Sequence, residues 1–177
     1  MYVDGDILSV IVESEDSGLE MQADDTENYT EDCFYYFSEG TQTQVLTYDI
    51  SDPEKPVKTG CVTQDGRYQT SRKIGNIIYL FTNKRISMPQ QTKEEAVTEE
   101  NVSGWIPLVN DKAVDAEDIY VDNGGGGSNS LLISSVNVKN PDQVLDNTMI
   151  LSQYVDIYVS ESAFYAVSYT HLTLPTT

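Results

Sequence analysis

Histidine is almost missing from this chain: 177 residues contain one, His171, close to the C-terminus. Nucleophilic catalysis by a Ser–His or Cys–His pair needs an imidazole within hydrogen-bond reach of the nucleophile. Histidine-based zinc sites need more than one. Both chemistries are therefore excluded for the bulk of the chain. Basic residues are also scarce, 10 Lys and Arg against 29 Asp and Glu, for a formal net charge of −19. A nucleic-acid partner is excluded, because such binding rests on clustered cations that displace counterions. Docking on an anionic membrane surface is excluded for the same reason. The two cysteines, Cys33 and Cys61, are too few for a disulfide framework and lack metal-ligand spacing. They are read as unpaired residues in or beside strands, although an extracellular chain could pair them. No apolar run approaches the ~18 residues of a membrane helix. The opening MYVDGDIL has neither a basic n-region nor an apolar h-region, so no signal peptide is expected.

The charge that is present is unevenly placed. Residues 1–54 hold 15 acidic residues and no Lys or Arg, nine of them between Glu13 and Asp32. Residues 55–139 hold 10 of each sign. A block of like charge repels itself and stays solvated. Residues 13–40 are accordingly read as an acidic insertion. A second insertion is expected over 83–127, containing Glu94-Glu95 and Glu99-Glu100 and ending in Gly124–Gly127, a run too costly in backbone entropy for a strand interior.

Between the insertions the signal is β. Val45–Ile50 is rich in β-branched and aromatic residues and ends at Ser51-Asp52-Pro53-Glu54-Lys55-Pro56. Asp52 can bond forward to the backbone, Pro53 pre-sets φ for a turn, and Pro56 suits only the start or edge of the next strand. Val57–Val62 is that strand. Asp65-Gly66 marks a turn, Arg67–Lys73 a third strand, Gly75-Asn76 another turn, and Ile77–Phe81 a fourth strand. Together these predict a four-stranded antiparallel meander.

The pattern then recurs. Asn140-Pro141-Asp142 matches Asp52-Pro53, 88 residues on; Gly5 precedes Gly75 by 70; Tyr79 precedes Tyr165 by 86. Met1–Val12 therefore reads as the end of an earlier copy. Repeated four-stranded units indicate a propeller or related array. The periods exceed the roughly 40–50 residues of a compact blade, which is what two long insertions produce.

Few residues stand out chemically. Glycosidase-like carboxylate pairs are disfavoured, since the acids cluster where no apolar pocket can raise a pKa. Calcium is the better ligand for such oxygens, but Asp4-Gly5-Asp6 and Asp122-Asn123-Gly124 do not continue into a calcium-loop spacing and are read as turns. Gly124–Ser130 lacks the Lys-Ser/Thr of a phosphate loop. Arg72 is expected to point inward and pair with a carboxylate such as Asp49. Trp105 is read as a hydrophobic anchor of the second insertion, and Tyr35, Tyr36 and Phe37 as strand residues.

Two stretches, VLTYDISDPEKP (45–56) and DGRYQTSRKIGNIIYLFTN (65–83), resemble bacterial secreted or surface-anchored proteins with a β-propeller domain distantly related to WD repeats. The run Tyr48–Pro56 and the pair Ser71-Arg72 are the specific parts. MYVDGDILSVI, LLISSVNVKNP and VDIYVSESAFYAV support it. The resemblance implies that Tyr48, Asp49, Asp52, Pro53, Pro56, Gly66, Ser71, Arg72, Gly75 and Tyr79 are structural motif residues. It offers no catalytic, cofactor-binding or metal-binding residue.

The expected fold is all-β: antiparallel meanders forming part of a β-propeller, with two full units and the end of a third across 1–166. Such a ring takes roughly 4–8 blades, so a fragment with open sheet edges and poor stability alone is expected. Residues 167–177 carry no acidic residue and resemble a translated DNA-library adaptor, so they are set aside as an artefactual tail. The resemblance further implies export to a bacterial cell surface and no assigned reaction; together with the repeat and the shortage of catalytic side chains it leads to the expectation of a binding or scaffolding role without cofactor, toward an unknown extracellular protein or glycan. The alternatives are a propeller hydrolase or lyase with an axial site built in further blades, and a calcium-stabilised adhesion domain.

Overall fold

The computed structural model of the protein describes residues 1–15, 41–86, 106–121, 128–152, 155–160 and 163–168. Thirteen strands fall within them: β1 (Tyr2–Asp4), β2 (Ile7–Glu15), β3 (Thr41–Asp49), β4 (Val57–Asp65), β5 (Arg67–Ile74), β6 (Ile77–Arg85), β7 (Leu108–Val109), β8 (Lys112–Ala113), β9 (Ile119–Val121), β10 (Asn129–Asn137), β11 (Val144–Ser152), β12 (Val155–Val159) and β13 (Phe164–Ser168). One 3-10 turn, Ala116–Asp118, precedes β9.

They form three sheets, ordered β1-β2-β3-β4-β7-β8, β5-β6-β10-β11-β9 and β12-β13. All pairings are antiparallel except β9 with β11. The all-β antiparallel architecture is as expected, but its division along the chain is not. The meander predicted from Val45 to Phe81 is split: β4 belongs to the first sheet and β5 to the second. The first unit is β1-β2-β3-β4, so Met1–Val12 opens it instead of ending an earlier copy. The second is β5-β6-β10-β11, and β12-β13 begins a third.

Gly66 is the physical reason for the split. Asp-Gly usually signals a hairpin turn, yet this glycine holds φ +96° and its amide donates to the Thr41 carbonyl at 2.8 Å. That bond ties the chain to β3 while β5 departs into the next sheet.

The repeat inferred from sequence is visible bond by bond. Gly5 and Gly75 make the β1–β2 and β5–β6 turns at φ +58° and +56°. Asp6 and Asn76, the next residues, accept from Ile50 and Val138 at 2.7 and 2.9 Å. Asp52 and Asn140 carbonyls accept from Lys55 and Gln143 at 2.9 and 3.0 Å. The positions of the two long insertions also correspond, since each joins the second and third long strands of its unit.

The three sheets are stacked face to face. In β6, Ile78 and Leu80 meet Val45 and Val62 of the first sheet, together with Leu132, Val136 and Val138 of β10 and its flank. The alternate residue Phe81 packs with Leu131 and Ile133 against Ile157 and Val159 of the third sheet. A strand buried on both faces is apolar throughout, which explains why Ile77–Phe81 and Leu131–Ile133 are continuous hydrophobic runs.

Strand bounds differ from expectation at the insertions. Glu13–Glu15 belong to β2 and Asn83–Arg85 to β6, each held by pairing with the next strand of its sheet. Within the second insertion, β7 and β8 form a two-residue hairpin whose Asn110 and Asp111 both take positive φ, 48° and 60°. The boundary drawn after residue 166 falls inside β13, where Val167 pairs with Asp156. His171, Cys33, Tyr35–Phe37, Trp105 and Gly124–Gly127 lie outside the described residues.

An added Cβ at Gly66 would stand 2.8 Å from the Asn83 carbonyl oxygen, besides requiring a strained φ. Gly66→Ala is expected to destabilise the chain by about 1–3 kcal/mol. A denaturant titration with unchanged m-value checks this.

Candidate functional site

The polar side chains that are buried most completely meet where the first and second sheets face each other. Gln64 of β4 has no solvent exposure. Its amide nitrogen donates to Thr82 Oγ1 at 2.8 Å and to the Leu132 carbonyl at 3.1 Å. Ser134 Oγ donates to its amide oxygen. Three of the four bonds a glutamine amide can make are thus formed across the seam. Thr82 Oγ1 donates in turn to the Asp65 carbonyl at 2.6 Å, and Thr43 Oγ1 donates to the Gly66 carbonyl at 2.9 Å.

Asp65 extends the network to the surface. Its Oδ2 accepts from Lys84 Nζ at 2.7 Å and from the Leu108 amide at 3.0 Å, and its Oδ1 from Gln42 at 3.4 Å. One carboxylate therefore joins β3, β4, β6 and β7. Burying a carboxylate is tolerable when it is paired and hydrogen-bonded in this way. The sequence points to none of Gln64, Thr82 and Ser134, and to Asp65 only as part of the Asp65-Gly66 turn. The alternation Gly60-x-Val62-x-Gln64 was the available signal, since it sets Gln64 on the face of a core valine.

A second contact lies toward the other end of β4. Pro141 packs over Gly60, where a Cβ would approach Pro141 Cγ to 2.6 Å. Asp142 Oδ1 accepts from the Cys61 amide at 3.0 Å, and its carbonyl accepts from Asn110 at 3.2 Å. The β10–β11 loop of the second unit is thereby clasped to the fourth strand of the first. Cys61 is a half-buried free thiol beside this contact.

The motif residues named from sequence do not converge on one place. Asp49 Oδ1 accepts from the Ser51 amide at 2.8 Å, which holds its carboxyl below the usual range. Asp52 Oδ1 accepts from the Glu54 amide at 3.2 Å. Pro53 and Pro56 are exposed with the rest of Ser51–Pro56, and Tyr48 is half-buried on β3. Ser71 Oγ shares hydrogen bonds with Tyr2 and Tyr68, at 2.9 and 3.0 Å. Gly66 and Gly75 are the two turns already described. Tyr79 of β6 packs on the third-sheet side.

Arg72 corrects an expectation. It is exposed on β5 and makes no ion pair with Asp49. A register shift lies between Tyr68 and Thr70 of β5, and the ion pair on this strand is made by the neighbouring Lys73. Lys73 Nζ donates to Asp4 Oδ2 at 2.8 Å, and that ammonium lowers the pKa of Asp4. Arg67 and Glu13 form a further bridge between the two units at 3.5 Å.

These contacts define how successive four-stranded units stack. A family profile described as a Beta propeller domain matches residues 1–176. The chain belongs to the β-propeller domain family. No curated protein and no solved structure matches it. The stacked sheets are thus propeller blades, and the Gln64 network is a polar seam between two of them. Among the described residues no group of three or more His, Cys, Asp and Glu is placed to hold a metal ion. No described helix is long and apolar enough to cross a membrane.

The seam yields a stability test. Gln64→Leu strands Ser134 and Thr82 beside an apolar side chain, and an unsatisfied buried group costs about 1–3 kcal/mol. Gln64→Leu is expected to cost about 2–4 kcal/mol, and adding Ser134→Ala to recover part of that. Equilibrium unfolding of the single and double variants checks the coupling.

The turn at Asp49 gives a pH test. Its pKa is lowered on folding, so its contribution is complete above the unfolded value of about 3.9 and is lost as pH falls through the folded value. Asn137 makes the same bond in the second blade, donated by the Lys139 amide at 3.0 Å. Asp49→Asn is therefore expected to leave the melting temperature at pH 7 within ~2 °C and to flatten its decline between about pH 5 and 2. Melts across that range read the difference.

Proposed function

We propose that the chain is part of an exported β-propeller that works as a binding or scaffolding module on a bacterial surface, with an extracellular protein or glycan as partner. One observation carries the non-catalytic side of this reading: the polar groups of the blade seam are used by one another. Gln64, Thr82, Ser134 and Asp65 bond across the sheets and into the adjacent strands. The exposed carboxylates with resolved shifts, Asp4 and Asp49, are held ionised by a lysine and a turn amide. Catalytic acids and bases are instead tuned toward the working pH. Propellers commonly serve many functions through grafted surfaces, so fold alone assigns none.

Surface placement follows from the resemblance of 45–56 and 65–83 to secreted propellers. The acidic excess suits a module that avoids nucleic acid and anionic lipid. The hydrolase or lyase alternative requires turnover, which makes the two readings separable.

The test pairs two assays on the purified chain. Isolated bacterial cell walls and immobilised extracellular matrix proteins are the binding probes; ester, phosphoester and glycoside chromogenic substrates are the catalytic ones. Saturable binding to a wall or matrix probe with no turnover above buffer is expected. Turnover that scales with protein concentration would overturn the proposal in favour of the enzyme.

A further inference from the structure

The last long strands of the two large sheets, β4 and β11, have their outer edges closed in different ways. On β11 the cover is main chain, since β9 pairs with it over Ile119–Val121. On β4 the second insertion supplies a single paired residue, Val109 of β7 opposite Gln64. A row of backbone groups that no strand covers is a template for pairing with another chain.

Two side chains occupy that row. Asp142 Oδ1 accepts from the Cys61 amide at 3.0 Å, and Asn110 Oδ1 accepts from the Thr63 amide at 2.9 Å. Asn110 also donates its own amide to the Thr63 carbonyl at 2.8 Å. One asparagine thus gives Thr63 both the acceptor and the donor that a residue of a neighbouring strand would give it. The carboxamide nitrogen of Asn110 then donates to the Asp142 carbonyl at 3.2 Å and ties the two residues together. Cys61 and Thr63 are alternate residues of β4, so the bonds fill two successive places on the side turned away from β3.

The two capping residues reach β4 from different parts of the chain. Asp142 lies in the β10–β11 loop of the second blade. Asn110 lies in 106–121, a strap that runs from the first sheet to the second. Its Leu108 amide is held by Asp65, its Val109 and Val114 are 3% exposed, and its far end is β9 on β11. Asn110 holds φ +48°, a conformation that asparagine and glycine accept more readily than other residues. Of those two, only asparagine has the carboxamide that the edge requires.

We propose that Asn110 and Asp142 form a side-chain cap that closes the outer edge of β4 to strand addition, and that the strand it excludes is β4 of a second copy of this chain. Two identical edges set antiparallel are self-complementary about a two-fold axis, so the same row of groups serves as both template and partner. The residues of β4, Val57–Asp65, include two valines and two threonines, which suit pairing. Lys58, exposed on the same strand, is a further device against it. The cap is independent of the external ligand proposed above, because it acts on the main chain of an outer strand and governs self-association.

Native-state hydrogen exchange of the full chain, run across a hundredfold concentration range, tests this. Asn110→Gly keeps the positive φ and removes only the carboxamide. It is expected to speed exchange of the Thr63 amide about tenfold or more, and Asp142→Ala to do the same for the Cys61 amide. In the double variant both amides are expected to exchange fast when dilute and to regain protection when concentrated, with sedimentation velocity showing dimer formation over the same range. Unchanged protection of β3, β6 and β10 in the dilute double variant is expected and separates loss of the cap from misfolding. An amide indifferent to loss of its capping side chain would overturn the cap. A double variant that stays monomeric, or that associates while Cys61 and Thr63 still exchange fast, would overturn the second copy as the excluded strand.

Discussion

One fully buried side-chain amide bridges the two largest sheets and gives their apolar contact a direction. Apolar stacking alone is non-directional, and Val45 and Val62 against Ile78, Leu80 and Leu132 would tolerate some sliding. Gln64 does not. Its amide nitrogen donates to Thr82 and the Leu132 carbonyl, and its oxygen accepts from the Ser134 hydroxyl, so two strands of the second sheet are set against one of the first. A buried polar group is stabilising only when its partners are in place. The seam therefore trades some apolar burial for a single register between sheets.

The rest of the structure follows from that constraint. With the sheets fixed, the chain must pass from β4 to β5 within one residue, and Gly66 takes the conformation that permits it. Asp65, beside it, has its carboxylate drawn to Lys84 and to the Leu108 amide, which holds β7 of the second insertion on the edge of the first sheet. At the far end of β4, Gly60 leaves room for Pro141. Glycine serves in both places, once for its backbone and once for its missing side chain.

Much of this was legible in the sequence and some was not, for identifiable reasons. Asp52-Pro53 and Asn140-Pro141 announced themselves because proline and Asx residues act locally, through their own φ and their own side-chain bonds. Gly5 and Gly75 were legible in the same way. The sheet change at Gly66 was hidden, since Asp-Gly between two strands has the composition of a hairpin and only the stacking of sheets decides otherwise. The ion pair expected at Arg72 is found at its neighbour Lys73, whose partner is Asp4 near the surface and not Asp49. Gln64 is not legible in the sequence, because polar residues in strands usually face water and its burial depends on a second sheet some 18 to 70 residues away in sequence. Local chemistry was readable; contacts between sheets were not.

Membership in the β-propeller family and the paired hydrogen bonds of the first two blades describe one design, repeated with insertions at the same place. On this design the first two blades are a single cooperative body joined at the Gln64 seam. Native-state hydrogen exchange followed residue by residue tests it most directly. The buried amides of β3, β4, β6 and β10 are expected to share one opening free energy, and Gln64→Leu to lower all four together. Separate opening energies for the first and second sheets, or a loss confined to β4 in the variant, would contradict it.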